Sequence, residues 1–220
     1  VAGYFSTING ASRPGIARLS STGELAPAFA PTTDGVWHEA VALMPDGDYF
    51  AGGQGLRRSR PDGTYQPSEY YGDSISFSAK DILVTPEGGL WIASSFSNAK
   101  ILADRAVDIS YTNEIWPTIH AAAVLPDGRI LIGGNDPGNS LDDRFSRYFA
   151  DGREDPFFDP FLDDEVLAVA PGPDETAYIA GRRTNFDPFL LRIFLQDTNA
   201  STEIQGPYAM PASRNRKYCA

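Results

Sequence analysis

The sequence predicts an all-β protein built from repeated antiparallel units, and three observations lead to this fold class. Glycine (21) and proline (17) are frequent along the whole length, which suits many short strands joined by turns. No stretch has sustained helical periodicity. A ten-residue phrase also recurs four times: MPDGDYFAGG from Met44, TPEGGLWIAS from Thr85, LPDGRILIGG from Leu125 and GPDETAYIAG from Gly172.

The spacing of this phrase indicates a repeat architecture. Its anchor prolines, Pro45, Pro86, Pro126 and Pro173, are separated by steps of 41, 40 and 47 residues. A second marker runs in phase with the first, namely a basic residue in a short strand followed by a turn. Two motifs in phase over several copies predict a protein of stacked structural units. The basic residues are Arg18, Arg58, Lys100, Arg147 and Arg192.

Each unit is predicted to contain four strands. In the third unit these are Thr118–Val124, Arg129–Gly134, Arg144–Phe149 and Asp155–Phe158. Pro126, Asp127 and Gly128 are predicted to form the first turn. Proline presets φ for the turn, and the Asp-Gly pair supplies side-chain hydrogen bonding and the positive φ of a tight hairpin. Four antiparallel strands in a unit of this length predict the blade of a β-propeller.

The units define the expected domain organisation. Residues 1–205 are predicted to form the propeller, with a partial blade at 1–30 and blades starting near 37, 77, 118 and 165. The partial blade lacks an innermost strand, and residues 203–210 could supply it and close a five-bladed ring. Residues 206–220 are expected to be a C-terminal tail. The alternative is a larger ring of which this chain is one piece.

The motifs resemble the delta-60 repeat, a β-propeller repeat of bacterial surface proteins and some phage virion proteins. The resemblance rests on FSTING (Phe5–Gly10), IARLSSTGELAPAF (Ile16–Phe29) and LPDGRILIGG, and it covers about residues 1–198. The other units depart from the pattern; Glu87, for example, replaces the turn aspartate. The resemblance implies a propeller fold in an extracellular, cell-surface or virion setting. It implies no shared active site.

Charge and composition exclude several classes of partner. The net charge of −11 argues against binding to nucleic acid or to an anionic membrane. No apolar run approaches the length needed to span a membrane, so membrane insertion is not expected. Cys219 is the only cysteine, which excludes an internal disulfide. The chain opens on VAGYF without an initiator methionine, as expected of a processed chain or a fragment.

The repeated residues are interpreted as structural. A basic residue at the same place in every blade suits a hydrogen bond to a neighbouring turn's carboxylate or carbonyls. The turn aspartates are expected to cap their own hairpins. This interpretation covers Arg18, Arg58, Lys100, Arg147 and Arg192 together with Asp46, Asp127 and Asp174.

One position of each innermost strand is predicted to line a central channel. It lies six residues before each anchor proline and holds Glu39, Lys80, His120 and Leu167. An acid, an amine and an imidazole around one pore could perform acid–base chemistry. Because no nucleophile or metal-ligand set accompanies them, we interpret them as tolerated polar residues of a wet channel. No catalytic residue and no cofactor is therefore predicted.

Loops between the second and third strands are predicted to form a binding rim, since variable loops on a rigid scaffold commonly carry recognition. The oxygen-rich loop of the third blade could hold calcium through Asp136, Asp142 and Asp143, although it lacks the ordered spacing of an EF-hand. The rim candidates are Asn9, Arg13, Asn135, Asp136, Asn139, Asp142, Asp143, Arg183 and Asn185.

The resulting functional hypothesis is a non-catalytic propeller module of an extracellular or virion-surface assembly. Its expected partners are protein subunits of that assembly or a surface glycan, and a homo-oligomer is a further expectation. Two alternatives stay open. One is a propeller hydrolase or lactonase with a metal or an acid–base set at the channel, and the other is a small-propeller lectin.

Overall fold

The fold was obtained as a computed structural model of the chain. The structure describes residues 1–31, 38–53, 55–71, 79–94, 98–108, 119–134, 145–158, 160, 162, 164–183 and 185–196, without the side chains of 68–70. These residues form strands, turns and loops. None of them belongs to a helix long and apolar enough to cross a membrane.

The N-terminal unit, residues 1–30, contains a hairpin of β1 (Thr7–Ile8) and β2 (Ala11–Ser12). Asn9 and Gly10 connect the two strands at φ values of 48° and 76°. Two successive positive φ values define the tight turn that follows the twist of a hairpin. Isolated bridges join Ala2 to Ile16 and Leu19 to Leu25, so the unit is a sparsely paired sheet.

Four antiparallel sheets follow the N-terminal unit, and we number them I to IV in chain order. In every sheet the strands are hydrogen-bonded in the order in which they occur along the chain. Sheet I contains β3 (His38–Leu43), β4 (Tyr49–Gly53), β5 (Gly55–Ser59) and β6 (Tyr65–Tyr70). Sheet II contains β7 (Ala79–Val84), β8 (Leu90–Ser94) and β9 (Asn98–Ile101). Sheet III contains β10 (Ile119–Val124), β11 (Ile130–Gly134) and β12 (Phe145–Tyr148). Sheet IV contains β13 (Glu165–Gly172), β14 (Thr176–Arg182) and β15 (Pro188–Phe194).

The anchor phrase forms the turn between the first two strands of each sheet. Asp46 Oδ1 accepts a hydrogen bond from the amide of Asp48 at 3.0 Å, and Asp127 Oδ1 accepts one from Arg129 at 3.0 Å. The turn of sheet IV has no glycine, and Asp174 and Glu175 adopt φ values of 55° and 52° themselves. Each copy of the phrase thus forms a local chain reversal. Only the fourth copy places non-glycine residues at positive φ, which strains its backbone.

The predicted fourth strand is shorter than expected in two sheets. In sheet III the stretch Asp155–Phe158 is a turn, and only the bridge between Tyr148 and Glu154 represents the fourth strand. The reason is local, because Asp155 accepts the amides of both Phe157 and Phe158, through its carboxylate at 3.1 Å and its carbonyl at 3.2 Å. In sheet II a single bridge between Ile101 and Val107 takes the same place.

The core lies between successive sheets. A fully buried side chain from the second strand of one sheet packs on the inner strands of the next, as Trp91 does on Ile130 and Ile132. Glycine allows the backbones to approach, since a Cβ on Gly133 would lie 2.4 Å from the Cγ1 of Val166 in the next sheet. Each sheet is therefore one layer of a stack.

The all-β antiparallel architecture predicted from the sequence is confirmed. Among the described residues, no strand pairing joins sheet IV to the N-terminal unit. Closure of the sheets into a ring stays a prediction. The number of blades stays a prediction, as do the boundary at residue 205 and the tail at 206–220. Residues 203–210 lie outside the described residues.

Candidate functional site

The predicted channel residues share one structural position, the extra residue of a β-bulge. In sheet I, His38 pairs with Gly53 and Ala40 with Gly52, which leaves Glu39 without a partner in the ladder. Sheets II, III and IV show the same shift at Lys80, His120 and Leu167. A bulge redirects the side chain of its extra residue, so four successive sheets present one redirected residue each. The bulges lie at the sheet end from which the loops between second and third strands depart.

Glu39 and Lys80 form an ion pair between sheets I and II. The hydroxyl of Tyr4, from the N-terminal unit, donates to Glu39 Oε1 at 2.6 Å. This hydrogen bond to a carboxylate raises the pKa of Tyr4 above its ordinary value. Three successive units are thus connected by side chains at one end of the stack.

His120 and Glu165 make the corresponding contact between sheets III and IV. His120 Nε2 lies 3.1 Å from Glu165 Oε1. Arg182 donates to the other oxygen of Glu165 through Nε and through Nη2, each at 2.7 Å. The hydrogen bond from Arg182 holds the pKa of Glu165 below its usual range. The carboxylate therefore stays ionised and fixes the orientation of the imidazole.

Two exposed aromatic rings end this series of polar groups. Tyr4 is 70% exposed and Phe186 is 76% exposed. The guanidinium of Arg182 lies 5.9 Å from the centroid of the Phe186 ring, within the range of a cation–π contact. We call the whole set the rim row; its members are Tyr4, Glu39, Lys80, His120, Glu165, Arg182 and Phe186.

Asp81, next to the bulge residue of sheet II, lies between sheets II and III. Its carboxylate accepts from the amides of Ile82 at 2.9 Å and Ala122 at 3.4 Å. Burial raises the pKa of Asp81, and the two amides offset part of that rise. A partly buried carboxylate with no cation among these contacts lowers the stability of the fold when it ionises.

Asp81→Asn is expected to be more stable than the wild type at neutral pH. The raised pKa of Asp81 contributes stability below its ordinary value of 3.8, and this is lost as the pH rises through the folded-state pKa. The variant should therefore melt about 2 °C or more above the wild type at neutral pH, with the difference vanishing in acid. Melting temperatures of both proteins between about pH 3.5 and 7 measure this.

Asp62→Asn is the control variant, because the pKa of Asp62 is shifted in the opposite direction from that of Asp81. The backbone amide of Thr64 donates to Asp62 Oδ1 at 2.8 Å and holds the pKa of this carboxyl below its usual range. The stability that it contributes is present at neutral pH and lost as the pH falls. Equal pH profiles for the two variants would contradict the role assigned to Asp81.

The predicted rim loops are only partly described. Asn9 donates through Nδ2 to the carbonyl of Gly23 at 3.0 Å, and Arg13 donates to the carbonyl of Ser12 at 2.8 Å. Asn185 donates to Asp187 Oδ2 at 2.6 Å, in a turn closed by the amide of Phe186 and the carbonyl of Arg183 at 2.8 Å. The candidates Asn135, Asp136, Asn139, Asp142 and Asp143, and with them the calcium hypothesis, lie outside the described residues.

The repeated cations contact neighbouring strands and turns. Arg58 pairs with Asp46 at 3.3 Å and Asp48 at 2.7 Å in its own sheet. Arg192 donates to Thr176 Oγ1 at 3.2 Å. The other three donate to a backbone carbonyl of the following unit, three residues beyond that unit's own cation: Arg18 to Pro61 at 3.1 Å, Lys100 to Ala150 at 2.8 Å, and Arg147 to Leu195.

Sequence reasoning found three residues of the rim row and missed four. Glu39, Lys80 and His120 share a place in the repeat, whereas Tyr4, Glu165, Arg182 and Phe186 belong to different places in their units. The cross-strand pairing of Glu165 with Arg182 was detectable in principle, because both are charged and lie at the ends of paired strands. Among the residues that the structure describes, no three His, Cys, Asp or Glu side chains are grouped as a metal site.

Comparisons with known proteins support this architecture. The family described as "Domain of unknown function (DUF5122) beta-propeller" matches residues 1–29 and 125–158. A search of curated protein sequences finds no relative.

Solved structures resemble the chain at low identity. A protein from Lactobacillus plantarum has a TM-score of 0.60 and 14% identity, with coverage of 93% of this chain and 65% of that one. Virginiamycin B lyase from Staphylococcus aureus gives 0.58 and 14%, with 86% and 61%. The extracellular domain of BT4673 from B. thetaiotaomicron gives 0.54 and 11%, with 82% and 24%. Likeness at such identities concerns the fold alone, and the fold of this chain is that of a β-propeller.

Proposed function

We propose that this chain is a non-catalytic β-propeller module of an extracellular or virion-surface assembly, which attaches to a protein or glycan partner through the rim row. The proposed scaffold is a five-bladed ring of delta-60 type that acts without a cofactor. An extracellular setting is consistent with the likeness to the extracellular domain of BT4673. A second copy of the chain is included among its partners.

The mutual pairing of the charged groups carries this proposal. Lys80 is paired with Glu39, and Glu165 lies between His120 and Arg182. An acid or base that is held in an ion pair is stabilised in its charged form and is less available for proton transfer. The same charges, fixed in place on a rigid stack, offer oriented hydrogen-bonding groups to a partner.

Two exposed aromatic rings accompany the charged groups of the rim row. Tyr4 and Phe186 present rings at the two ends of the row. Aromatic faces beside polar groups suit contacts with the apolar faces of sugars or with side chains of a protein. The rim row thus combines stacking surface with hydrogen-bonding groups, as a recognition surface requires.

Binding of the chain to an array of bacterial surface polysaccharides tests this function. The double variant Tyr4→Ala/Phe186→Ala is expected to bind about tenfold more weakly or worse, because each ring contributes about 0.5–1.5 kcal/mol. Phe157→Ala is the matched control, since Phe157 is 59% exposed but lies outside the rim row. Equal binding by the two variants would rule out attachment to glycans through this surface.

The contact between His120 and Glu165 favours one second candidate, an acid–base enzyme. A carboxylate that orients an imidazole is a common catalytic arrangement. Virginiamycin B lyase shares the fold, and a catalytically inactive histidine variant of that enzyme was crystallised with quinupristin. Incubation with quinupristin separates the two functions. Turnover by the wild type that His120→Ala abolishes would favour the enzyme, and intact antibiotic would favour attachment.

A further inference from the structure

The turn of the first hairpin differs chemically from the Asp-Gly turns of the chain. Asn9 and Gly10 connect β1 to β2, both are exposed, and they form the one Asn-Gly pair of the sequence. An asparagine that precedes glycine is prone to spontaneous deamidation, because glycine has no side chain that hinders the approach of its nitrogen to the amide carbon. The tip of this hairpin therefore places an electrophile beside an unhindered nucleophile.

The nitrogen of Gly10 is available for this reaction, since no described residue accepts a hydrogen bond from its amide. In the described Asp-Gly turns, by contrast, the glycine amide donates to the carbonyl three residues earlier, at 2.9 to 3.0 Å. An aspartate oxygen in each of these turns also accepts the amide two residues further on, at 2.8 to 3.1 Å. Both reacting groups are thus held apart in these turns, whose glycines are Gly47, Gly63, Gly128 and Gly152.

The side chain of Asn9 is held by a single hydrogen bond. Its Nδ2 donates to the carbonyl of Gly23 at 3.0 Å. An exposed hydrogen bond of this kind slows a reaction that must break it by at most about tenfold. A Cβ built on Gly10 would meet no atom within 4 Å, so there is open space beside the turn. Local rotation can therefore bring the amide carbon of Asn9 to the nitrogen of Gly10.

We propose that Asn9 is a self-modification site, at which the chain deamidates without an enzyme. The nitrogen of Gly10 loses its proton and attacks Cγ of Asn9, a C–N bond forms, and the side-chain nitrogen takes up a proton and leaves as ammonia. Water then adds to one of the two carbonyls of the resulting five-membered imide and breaks its C–N bond. The products are aspartate and isoaspartate, in which the main chain runs through the side-chain carbons.

Both products change the turn. Their carboxylates have no N–H to donate to the carbonyl of Gly23, and they bring a negative charge toward it. Isoaspartate also adds one atom to the main chain, which a two-residue turn between the paired residues Ile8 and Ala11 does not accommodate. The first hairpin therefore loses part of its hydrogen bonding as the protein ages.

The same hairpin carries the first ring of the rim row, Tyr4. The neighbours of Tyr4 pair with Gly15: the carbonyl of Phe5 accepts from its amide at 2.8 Å, and the amide of Gly3 donates to its carbonyl at 3.1 Å. This pairing fixes the backbone from which Tyr4 reaches Glu39. Deamidation is thus expected to weaken attachment through the rim row, a consequence that rests on the proposed function.

Peptide mapping by mass spectrometry of the full chain, incubated at mildly alkaline pH, tests the assignment. Asn9 is expected to deamidate within about tenfold of the rate in an unstructured peptide of residues 5–13. It should also react at least about tenfold faster than Asn185, the internal control. Asn185 is likewise exposed in a turn, but the bulky Phe186 follows it and its side-chain amide donates to Asp187 at 2.6 Å.

Hydrogen exchange reports the effect on the hairpin. The amide of Gly15 is expected to exchange at least about tenfold faster in the isoaspartate form than in the fresh protein. Asn9→Asp is the matched variant, because it introduces the same charge without lengthening the main chain, and it should give a smaller change.

Two results would overturn the assignment. Deamidation of Asn9 no faster than that of Asn185 would show that the fold protects the amide. Deamidation at the rate of the peptide with unchanged exchange at Gly15 would show that the turn does not control the hairpin. Neither result bears on attachment itself, which the binding of freshly prepared wild type and Tyr4→Ala/Phe186→Ala tests separately.

Discussion

Arg147→Ala is expected to lower the free energy of unfolding by about 3–5 kcal/mol, the cost of removing one partner of a buried ion pair. The guanidinium is fully buried and makes two contacts with Asp155 Oδ2, from Nε at 2.8 Å and Nη2 at 2.7 Å. It also donates to the carbonyl of Leu195 and lies 4.6 Å from the centroid of the Phe158 ring. The substitution leaves the carboxylate of Asp155 buried without its cation.

Chemical denaturation of the wild type and the variant measures this loss, which should also lower the melting temperature by about 6–20 °C. Arg153→Ala is the matched control, because Arg153 forms a similar pair with Asp151 at 2.8 Å on the surface. That pair should contribute at most about 1 kcal/mol. Equal losses for the two variants would contradict a structural role for the buried cation.

Trp91→Ala is expected to cost about 3–5 kcal/mol, as large-to-small substitutions of buried aromatics do. Trp91 is fully buried between sheets II and III, where it packs with Ile119, Ile130 and Ile132. The substitution opens a cavity at the junction of two layers, and the rigid strands on either side limit its collapse.

Thermal denaturation followed by far-UV circular dichroism checks this prediction. Phe157→Ala is the control. Phe157 is exposed and lies outside the junction between sheets II and III, so its truncation should change stability by about 0.5 kcal/mol or less. A change of similar size in both variants would show that the junction between sheets II and III does not hold the stack together.

Local turn chemistry made much of the fold predictable from the sequence. Pro126, Asp127 and Gly128 specify a hairpin on their own, and the apolar strand that follows them, β11, is buried along its whole length. The fourth strand of the same unit was not predictable in this way. Its residues favour a strand by composition, but Asp155 binds Arg147 and its own downstream amides, and these contacts fold the segment into a turn.

The candidate site was likewise predictable only in part from the sequence. Counting back from the anchor prolines placed Glu39, Lys80 and His120 at one equivalent position, because the repeat fixes that position. Glu39 and Lys80 pair with each other, whereas the other partners come from outside the repeat pattern. Tyr4 reaches Glu39 from a loop, and Arg182 reaches Glu165 across a strand pair, so both contacts depend on folding in three dimensions. Periodicity therefore identifies equivalent residues and does not identify the contacts between them.

The carbonyl contacts of Arg18, Lys100 and Arg147 have an evolutionary consequence. Donor and acceptor are both encoded inside the repeat, with the acceptor three residues beyond the next cation. A duplicated gene segment that encodes one unit would carry both groups. Its cation could donate to a carbonyl of the following unit, and its carbonyl could accept from the cation of the preceding unit. At junctions of this type, unequal recombination could therefore add a unit without a new cation–carbonyl contact having to evolve.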